Sequence, residues 1–117
     1  MKQFRFLDFQ MYKDSINLLK KIRTIISRYS SQEFSLKDQT YRATISVILN
    51  IAEWSWKESD ADFKRYLTIS LGSIHEILAC LDIARNLNLI ENETFFEIQK
   101  DISNITNQIG GFIKKLK

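Results

Sequence analysis

Proline is absent from the 117-residue sequence, and glycine, histidine and cysteine are scarce, at three, one and one residues. Because proline and glycine supply most tight turns, their scarcity argues against an all-β fold. One histidine cannot supply the two Glu-x-x-His motifs of a di-iron bundle, and one cysteine with one histidine is too few for a zinc site. A phosphate-binding loop of the G-x-x-x-x-G-K-[ST] type is also missing. We therefore expect no enzymatic activity and no cofactor or metal.

Sequence signals for export or membrane insertion are not visible. The first residues, Met1-Lys2-Gln3-Phe4-Arg5, lack the apolar region of a signal peptide. No window holds about 18 uninterrupted apolar residues, as a membrane-spanning helix requires. The only cysteine, Cys80, lies in an apolar run and is expected to be a small core residue. We expect a cytoplasmic protein without membrane contact, folded as one domain over residues 1–117.

Apolar residues recur at spacings of three and four along most of the chain, which predicts four helices. Ser59 is a predicted N-cap, and Ser35 with Asp38 resembles a capping box. Because the connections are short, consecutive helices should be antiparallel. The predicted fold is all-α, an up-down-up-down four-helix bundle. Its helices span about Asp8 to Tyr29, Ser35 to Lys57, Asp60 to Leu87, and Asn92 to the C-terminus.

Each predicted helix has a face that should be buried. On the first helix this face is Phe9, Tyr12, Ile16, Leu19, Ile22, Ile26 and Tyr29. On the second it is Tyr41, Ile45, Ile48, Ala52 and Trp56. The third has a heptad seam of Phe63, Leu67, Ser70, Ile74, Ile77, Leu81 and Ala84. The fourth has Phe95, Ile98, Ile102, Ile105, Ile109, Phe112 and Leu116.

Positive charge is concentrated at the two ends of the sequence, although the net charge is only +3. If the first and last helices lie side by side, one edge of the molecule is basic and could bind nucleic acid. The alternative for each of these cations is an ordinary solvated helix surface. The candidate nucleic-acid-binding residues are Lys13, Lys20, Lys21, Arg23, Arg28, Lys114, Lys115 and Lys117.

Polar residues also occur among apolar ones in the middle of the chain. On the second helix, Arg42, Ser46, Asn50 and Glu53 step by four, four and three and form one polar stripe. On the third, the corresponding residues are Gly72, Ser73 and Glu76. Gly72 should permit close approach of a partner helix, and Glu76 could pair with Arg42. We favour a structural network that fixes helix register over a ligand or partner site.

These residues carry a resemblance to a known family. Gln39, Arg42, Ala43, Ser46, Asn50, Ile51, Ala52 and Glu53 follow a pattern close to Q-x-x-R-A-x-x-S-I-P-x-N-I-A-E-G. Phe63, Arg65, Leu67, Ile69, Gly72, Ser73 and Glu76 follow one close to F-x-R-F-L-x-I-A-x-G-S-x-x-E. The start, from Phe4 to Lys13, is a looser match to F-R-x-L-x-V-W-Q-K-A. The chain resembles the 23S rRNA-intervening-sequence family, which is related to the accessory variability determinants of diversity-generating retroelements.

The resemblance implies a non-catalytic four-helix bundle, and several members of the family form ring-like homopentamers. The retroelement accessory proteins bind a reverse transcriptase and nucleic acid through a basic surface. Five copies of this chain would carry about +15 in total. The sequence departs from the family pattern at Ile48, where the family has proline, and at Trp54, where it has glycine. For Trp54 and Trp56 we favour a partly buried aromatic cap at one end of the bundle over a turn that stacks on a base or on a partner.

Two functions follow as hypotheses. The first is a non-enzymatic accessory protein that binds nucleic acid, RNA more than DNA, as a homo-oligomer and with a reverse transcriptase as a further candidate partner. The alternative is a protein-interaction or assembly scaffold without nucleic acid. It is suggested by the wide apolar surface predicted for the third helix, which must be covered by something.

Overall fold

Four helices make up most of the chain. The computed structural model describes residues 4–54 and 59–116, and in these ranges it contains helices and no strand. Two short 3-10 helices, Arg5–Asp8 and Ser31–Glu33, precede the first and second α-helices. The predicted all-α fold is confirmed. The α-helices are α1 (Gln10–Ile26), α2 (Phe34–Trp54), α3 (Asp60–Asn86) and α4 (Asn92–Lys115).

The helices form an antiparallel square. Each packs on the next in sequence and α4 also packs on α1, whereas α1 and α3 are diagonal, as are α2 and α4. The side-chain hydrogen bonds give the direction: Gln39 of α2 meets Glu76, and Ser46 meets Ser73, so α2 and α3 run in opposite directions. The bundle measures 45 × 22 × 20 Å.

The helix ends differ in part from the predicted ones. Ser59 caps α3 as predicted, since its hydroxyl accepts a hydrogen bond from the Asp62 amide at 3.1 Å. The predicted capping box is wrong, because α2 begins one residue earlier, at Phe34, and places Ser35 inside the helix. The carboxylate of Asp38 instead accepts from Arg42. Past the end of α3, Asn88 takes a positive φ of 62°, which asparagine adopts more readily than most residues.

The predicted core faces of α3 and α4 are confirmed. Every residue of the α3 heptad seam is buried except Phe63, which is half-buried, and α4 buries its five predicted residues from Phe95 to Ile109. The predicted faces of α1 and α2 are partly wrong. On α1 the residues buried most deeply include Met11 and Leu18. On α2, Tyr41 is exposed, and the buried residues are Thr40, Ala43, Thr44, Val47, Ile48, Ile51 and Trp54.

Buried hydroxyl groups explain why the apolar pattern predicts the wrong buried face for α2. The Thr40 hydroxyl donates to the Leu36 carbonyl at 2.7 Å, and the Thr44 hydroxyl donates to the Thr40 carbonyl at 2.9 Å. Ser15 of α1 donates in the same way to Met11 at 2.7 Å. Because each hydroxyl is satisfied within its own helix, a polar side chain enters the core without a large desolvation cost. A pattern that reads only apolar residues cannot detect such positions.

Aromatic rings close one end of the bundle around Trp54, which is only 4% exposed. Its ring centre lies 5.0 Å from that of Phe9, 5.8 Å from Phe63 and 5.1 Å from Phe112. The cluster joins the start of α1, the end of α2, the start of α3 and the end of α4. Trp54 therefore occupies the predicted aromatic cap, whereas Trp56 lies outside the described residues.

Helix α3 carries more apolar residues than those that are buried in its heptad seam. By length and composition alone, Ala61–Asn86 could cross a membrane, with a mean hydropathy of 1.5. The core helix of a water-soluble bundle meets the same criterion. Here Ile69 and Ile83 are 43% and 49% exposed, so part of the apolar surface of α3 is not covered by the other helices.

Candidate nucleic-acid interface

Polar side chains between α2 and α3 form a short hydrogen-bonded chain. The hydroxyl oxygens of Ser46 and Ser73 lie 2.8 Å apart, and the Asn50 amide donates to the Ser46 carbonyl at 2.8 Å and to its hydroxyl at 3.2 Å. One turn away, the Ser70 hydroxyl donates to the Val47 carbonyl at 3.3 Å. These groups are buried or half-buried and carry no charge. Their arrangement fixes the register of the two helices and contains no acid, base or nucleophile pair.

The remaining residues of the two sequence motifs take no part in these hydrogen bonds between α2 and α3. The predicted Arg42–Glu76 pair is wrong: the Arg42 Nε donates to Asp38 at 2.9 Å, four residues earlier on the same helix, and Glu76 accepts from Gln39. Gly72 is exposed, and a Cβ there would meet nothing within 4 Å, so it does not serve close helix packing within one chain. Glu53 is half-buried near the end of α2.

Three of the predicted cations point away from the bundle along α1. Lys13, Lys20 and Arg23 are exposed, and their spacings of seven and three residues place them on one side of the helix. None of the three takes part in an ion pair within the described part of the chain. This surface, Lys13, Lys20 and Arg23, is called the α1 basic face below.

The other predicted cations divide into separate groups. Lys21 is engaged, because its Nζ lies 2.7 Å from the Asp101 carboxylate of α4. Arg28 is exposed just past the end of α1. Lys114 and Lys115 are exposed in the last turn of α4, and Phe112 packs on Phe9 there, which brings this turn beside the start of α1. Lys117 lies outside the described residues.

The seam between α1 and α4 is acidic and amide-rich rather than basic. The Asp14 carboxylate accepts hydrogen bonds from Gln10 at 2.8 Å, Asn104 at 3.0 Å and Gln108 at 2.7 Å. Burial raises the pKa of Asp14, but the hydrogen bonds from Gln10, Gln108 and Asn104 lower it, and the net pKa lies below the usual 3.8. The first and last helices do lie side by side, yet Asp14 and Asp101 interrupt the positive charge between them.

A pocket that sequence reasoning missed lies between the end of α1 and the start of α2. Its volume is about 410 Å³, within the range of small-ligand sites. Phe34 is 69% exposed and Tyr41 is 39% exposed. The spacing of Phe34, Lys37 and Tyr41 by three and four is the sequence signal for this pocket, and the prediction that Tyr41 is a core residue obscures it. The pocket is lined by Arg23, Ile26, Ser27, Phe34, Lys37, Asp38 and Tyr41.

The histidine, cysteine and acidic side chains of the described residues do not form a catalytic or metal-binding cluster. No three His, Cys, Asp or Glu side chains there are grouped so as to hold a metal. His75 is exposed, and its Nδ1 lies 2.8 Å from the Leu71 carbonyl. Cys80 is buried, and burial is the main reason that the pKa of its thiol is raised. The thiol therefore stays protonated at neutral pH and is a poor nucleophile.

The α1–α4 seam gives a pH-dependent prediction. Asp14→Asn should lower the free energy of unfolding at pH 7 by about 1 kcal/mol, because the asparagine amide cannot accept all three hydrogen bonds. The loss is no larger because Asp14 is partly solvated. A depressed folded-state pKa contributes stability above the unfolded pKa and loses it as the pH falls through the folded value. Urea unfolding should thus show a difference between wild type and variant at pH 7 that is smaller at about pH 3, below the ordinary aspartate pKa, where the carboxylate begins to bind its proton. An equal difference at both pH values would contradict this role.

Comparison with known proteins agrees with the fold and with the family that the sequence resembles. A crystal structure of a protein of unknown function from the S23 ribosomal protein family of Bacteroides thetaiotaomicron superposes with a TM-score of 0.83, at 24% identity, over 89% of this chain and 98% of that one. No curated protein matches the chain significantly. The family described as 23S rRNA-intervening sequence protein matches residues 7–111. The chain therefore belongs to the 23S rRNA-intervening sequence protein family.

Proposed function

We propose that this protein is a non-enzymatic accessory protein that binds nucleic acid as a homo-oligomer, with RNA as the favoured nucleic acid. The observation that supports the proposal most is the α1 basic face. Its three cations are exposed and are not neutralised by carboxylates in the described residues, in contrast to Lys21. Unpaired lysine and arginine side chains neutralise phosphates and release counterions, which favours binding to any polyanionic strand.

Oligomerisation would make this modest charge effective. The net charge of one chain is only +3, and a symmetric assembly multiplies it and presents several α1 basic faces to one strand. A reverse transcriptase is the further partner that we propose, and it rests on the resemblance to retroelement accessory proteins. The cytoplasm is the proposed location.

A charge-reversal variant tests the nucleic-acid role. Lys13→Glu with Lys20→Glu should weaken binding to a single-stranded RNA and reduce the slope of log affinity against log salt by roughly 1 to 2, since two phosphate contacts are lost. Filter binding at several salt concentrations measures both quantities. Lys64→Glu with Lys100→Glu is the matched control, because it changes the net charge equally at two exposed lysines on α3 and α4. Equal losses in the two variants would show a nonspecific charge effect and contradict the assignment to α1.

The proposed assembly is supported by apolar side chains on the outer surface of α2 and α3. Leu49 is 61% exposed. Ser46 of α2 contacts Ser73 of α3, and the two helices are antiparallel. Leu49 lies three residues after Ser46 and Ile69 lies four residues before Ser73, so both side chains are at the same level of the bundle. Ile83 lies two heptads after Ile69 and so projects from the same side of α3. We call Leu49, Ile69 and Ile83 the outer apolar face. Large apolar surfaces of this kind mark contacts with other protein chains.

A lysine substitution tests the assembly. Leu49→Lys with Ile69→Lys should convert the oligomer into a 13.8 kDa monomer in light scattering coupled to size exclusion, because buried ammonium groups oppose association. Both side chains are exposed within one chain, so the fold should persist. Leu7→Lys, at another exposed leucine, is the control and should leave the mass unchanged. A wild-type protein that is monomeric at all concentrations would exclude the oligomer.

A further inference from the structure

We infer that the pocket between α1 and α2 binds one unstacked nucleotide of a single-stranded RNA, with the base on Phe34 and the neighbouring phosphates on Arg23 and Lys37. This inference rests on the proposed function and deepens it. The α1 basic face explains attraction to phosphates but offers nothing for bases. The pocket lies where that face ends, because Arg23 belongs to both.

Phe34 is the stacking residue because of how α2 begins. The 3-10 helix Ser31–Glu33 leads directly into α2, and Phe34 is its first residue. Phe34 as a residue is 69% exposed, the largest exposed fraction among the large apolar residues of the described chain. An exposed phenylalanine contributes little to the stability of the folded chain, so its ring is available to gain burial energy by contact with another molecule. An aromatic ring with an open face accepts any base, because every base has a π-face.

Tyr41 and Ile26 form the rest of the apolar wall. Tyr41 lies seven residues after Phe34 and therefore on the same side of α2, about 10 Å further along the helix axis. Ile26 is buried at the last position of α1 and forms part of the lining. The lining therefore combines two open aromatic rings with an aliphatic wall, which suits a flat base better than a charged peptide.

The charges around the pocket fit a nucleotide. Arg23 is exposed and Lys37 is half-buried, and neither has an ion-pair partner in the described residues. Asp38 is the one carboxylate of the lining, and the Arg42 Nε at 2.9 Å offsets its charge. Two cations that are not neutralised beside open rings are the combination that binds single strands, in which cations follow the backbone and rings stack on bases.

The experiment compares Phe34→Ala with two matched variants in binding to a ten-nucleotide oligouridylate. Phe34→Ala should weaken binding by roughly 5- to 100-fold and leave the salt slope unchanged, because stacking involves no counterion release. Phe34→Tyr should bind as the wild type does. Phe96→Ala should have no effect, since Phe96 is another half-exposed phenylalanine, on α4, and lies outside the pocket. A thermal melt of each variant checks that it is folded. Because Phe34 is largely exposed, its substitution should not unfold the protein.

The outcomes separate this inference from the proposed function. If Phe34→Ala binds as tightly as the wild type while the variant of Lys13 and Lys20 loses affinity, the pocket inference is wrong and the proposed function stands. If Phe34→Ala and Phe96→Ala lose affinity equally, stacking is not specific to the pocket, and the inference is also wrong. If the wild type does not bind the oligonucleotide at about 50 mM salt, where phosphate contacts are strong, both proposals fail.

Discussion

The packing of α2 on α3, with the hydroxyl contact between Ser46 and Ser73 in its seam, fixes how α2 is rotated, and much of the surface depends on that rotation. Together with the bond from Ser70 to the Val47 carbonyl, it turns one polar edge of α2 toward α3. The neighbouring side of α2 packs on the core and on α1, and the side that points away from both helices is left to solvent. Phe34 and Tyr41 are exposed beside α1 for this reason, and Leu49 is exposed on the outside. The pocket and the outer apolar face are thus consequences of one helix orientation.

The same orientation shows which parts of the fold the sequence predicts and which it does not. The seams of α3 and α4 are predictable because almost all of their buried residues are apolar and repeat regularly. The face of α2 is not, because Thr40 and Thr44 enter the core with their hydroxyls bonded to their own helix. The spacing of apolar residues alone predicts a rotation of α2 that buries Tyr41, and this prediction is wrong. The pocket was hidden by that error, although its residues follow helical spacing.

Charge pairing could not be predicted for a related reason. Lys20 and Lys21 are adjacent in sequence and have the same side chain, yet only Lys21 faces the Asp101 carboxylate. Arg42 likewise binds the carboxylate on its own helix rather than Glu76 across the interface, since Gln39 occupies that carboxylate. Which cation stays unpaired depends on the packing angle of neighbouring helices. In the folded chain Lys13, Lys20 and Arg23 share one side of α1, and Lys37 lies with Arg23 at the pocket.

Contact between these side chains and RNA can be measured directly by lysine footprinting. The protein is acetylated briefly with and without single-stranded RNA, and mass spectrometry gives the reactivity of each lysine. If the contact exists, RNA should protect Lys13, Lys20 and Lys37 and leave Lys64 unchanged, since Lys64 lies on α3, diagonal to α1. Protection of Lys64 with no change at Lys13, Lys20 and Lys37 would contradict it.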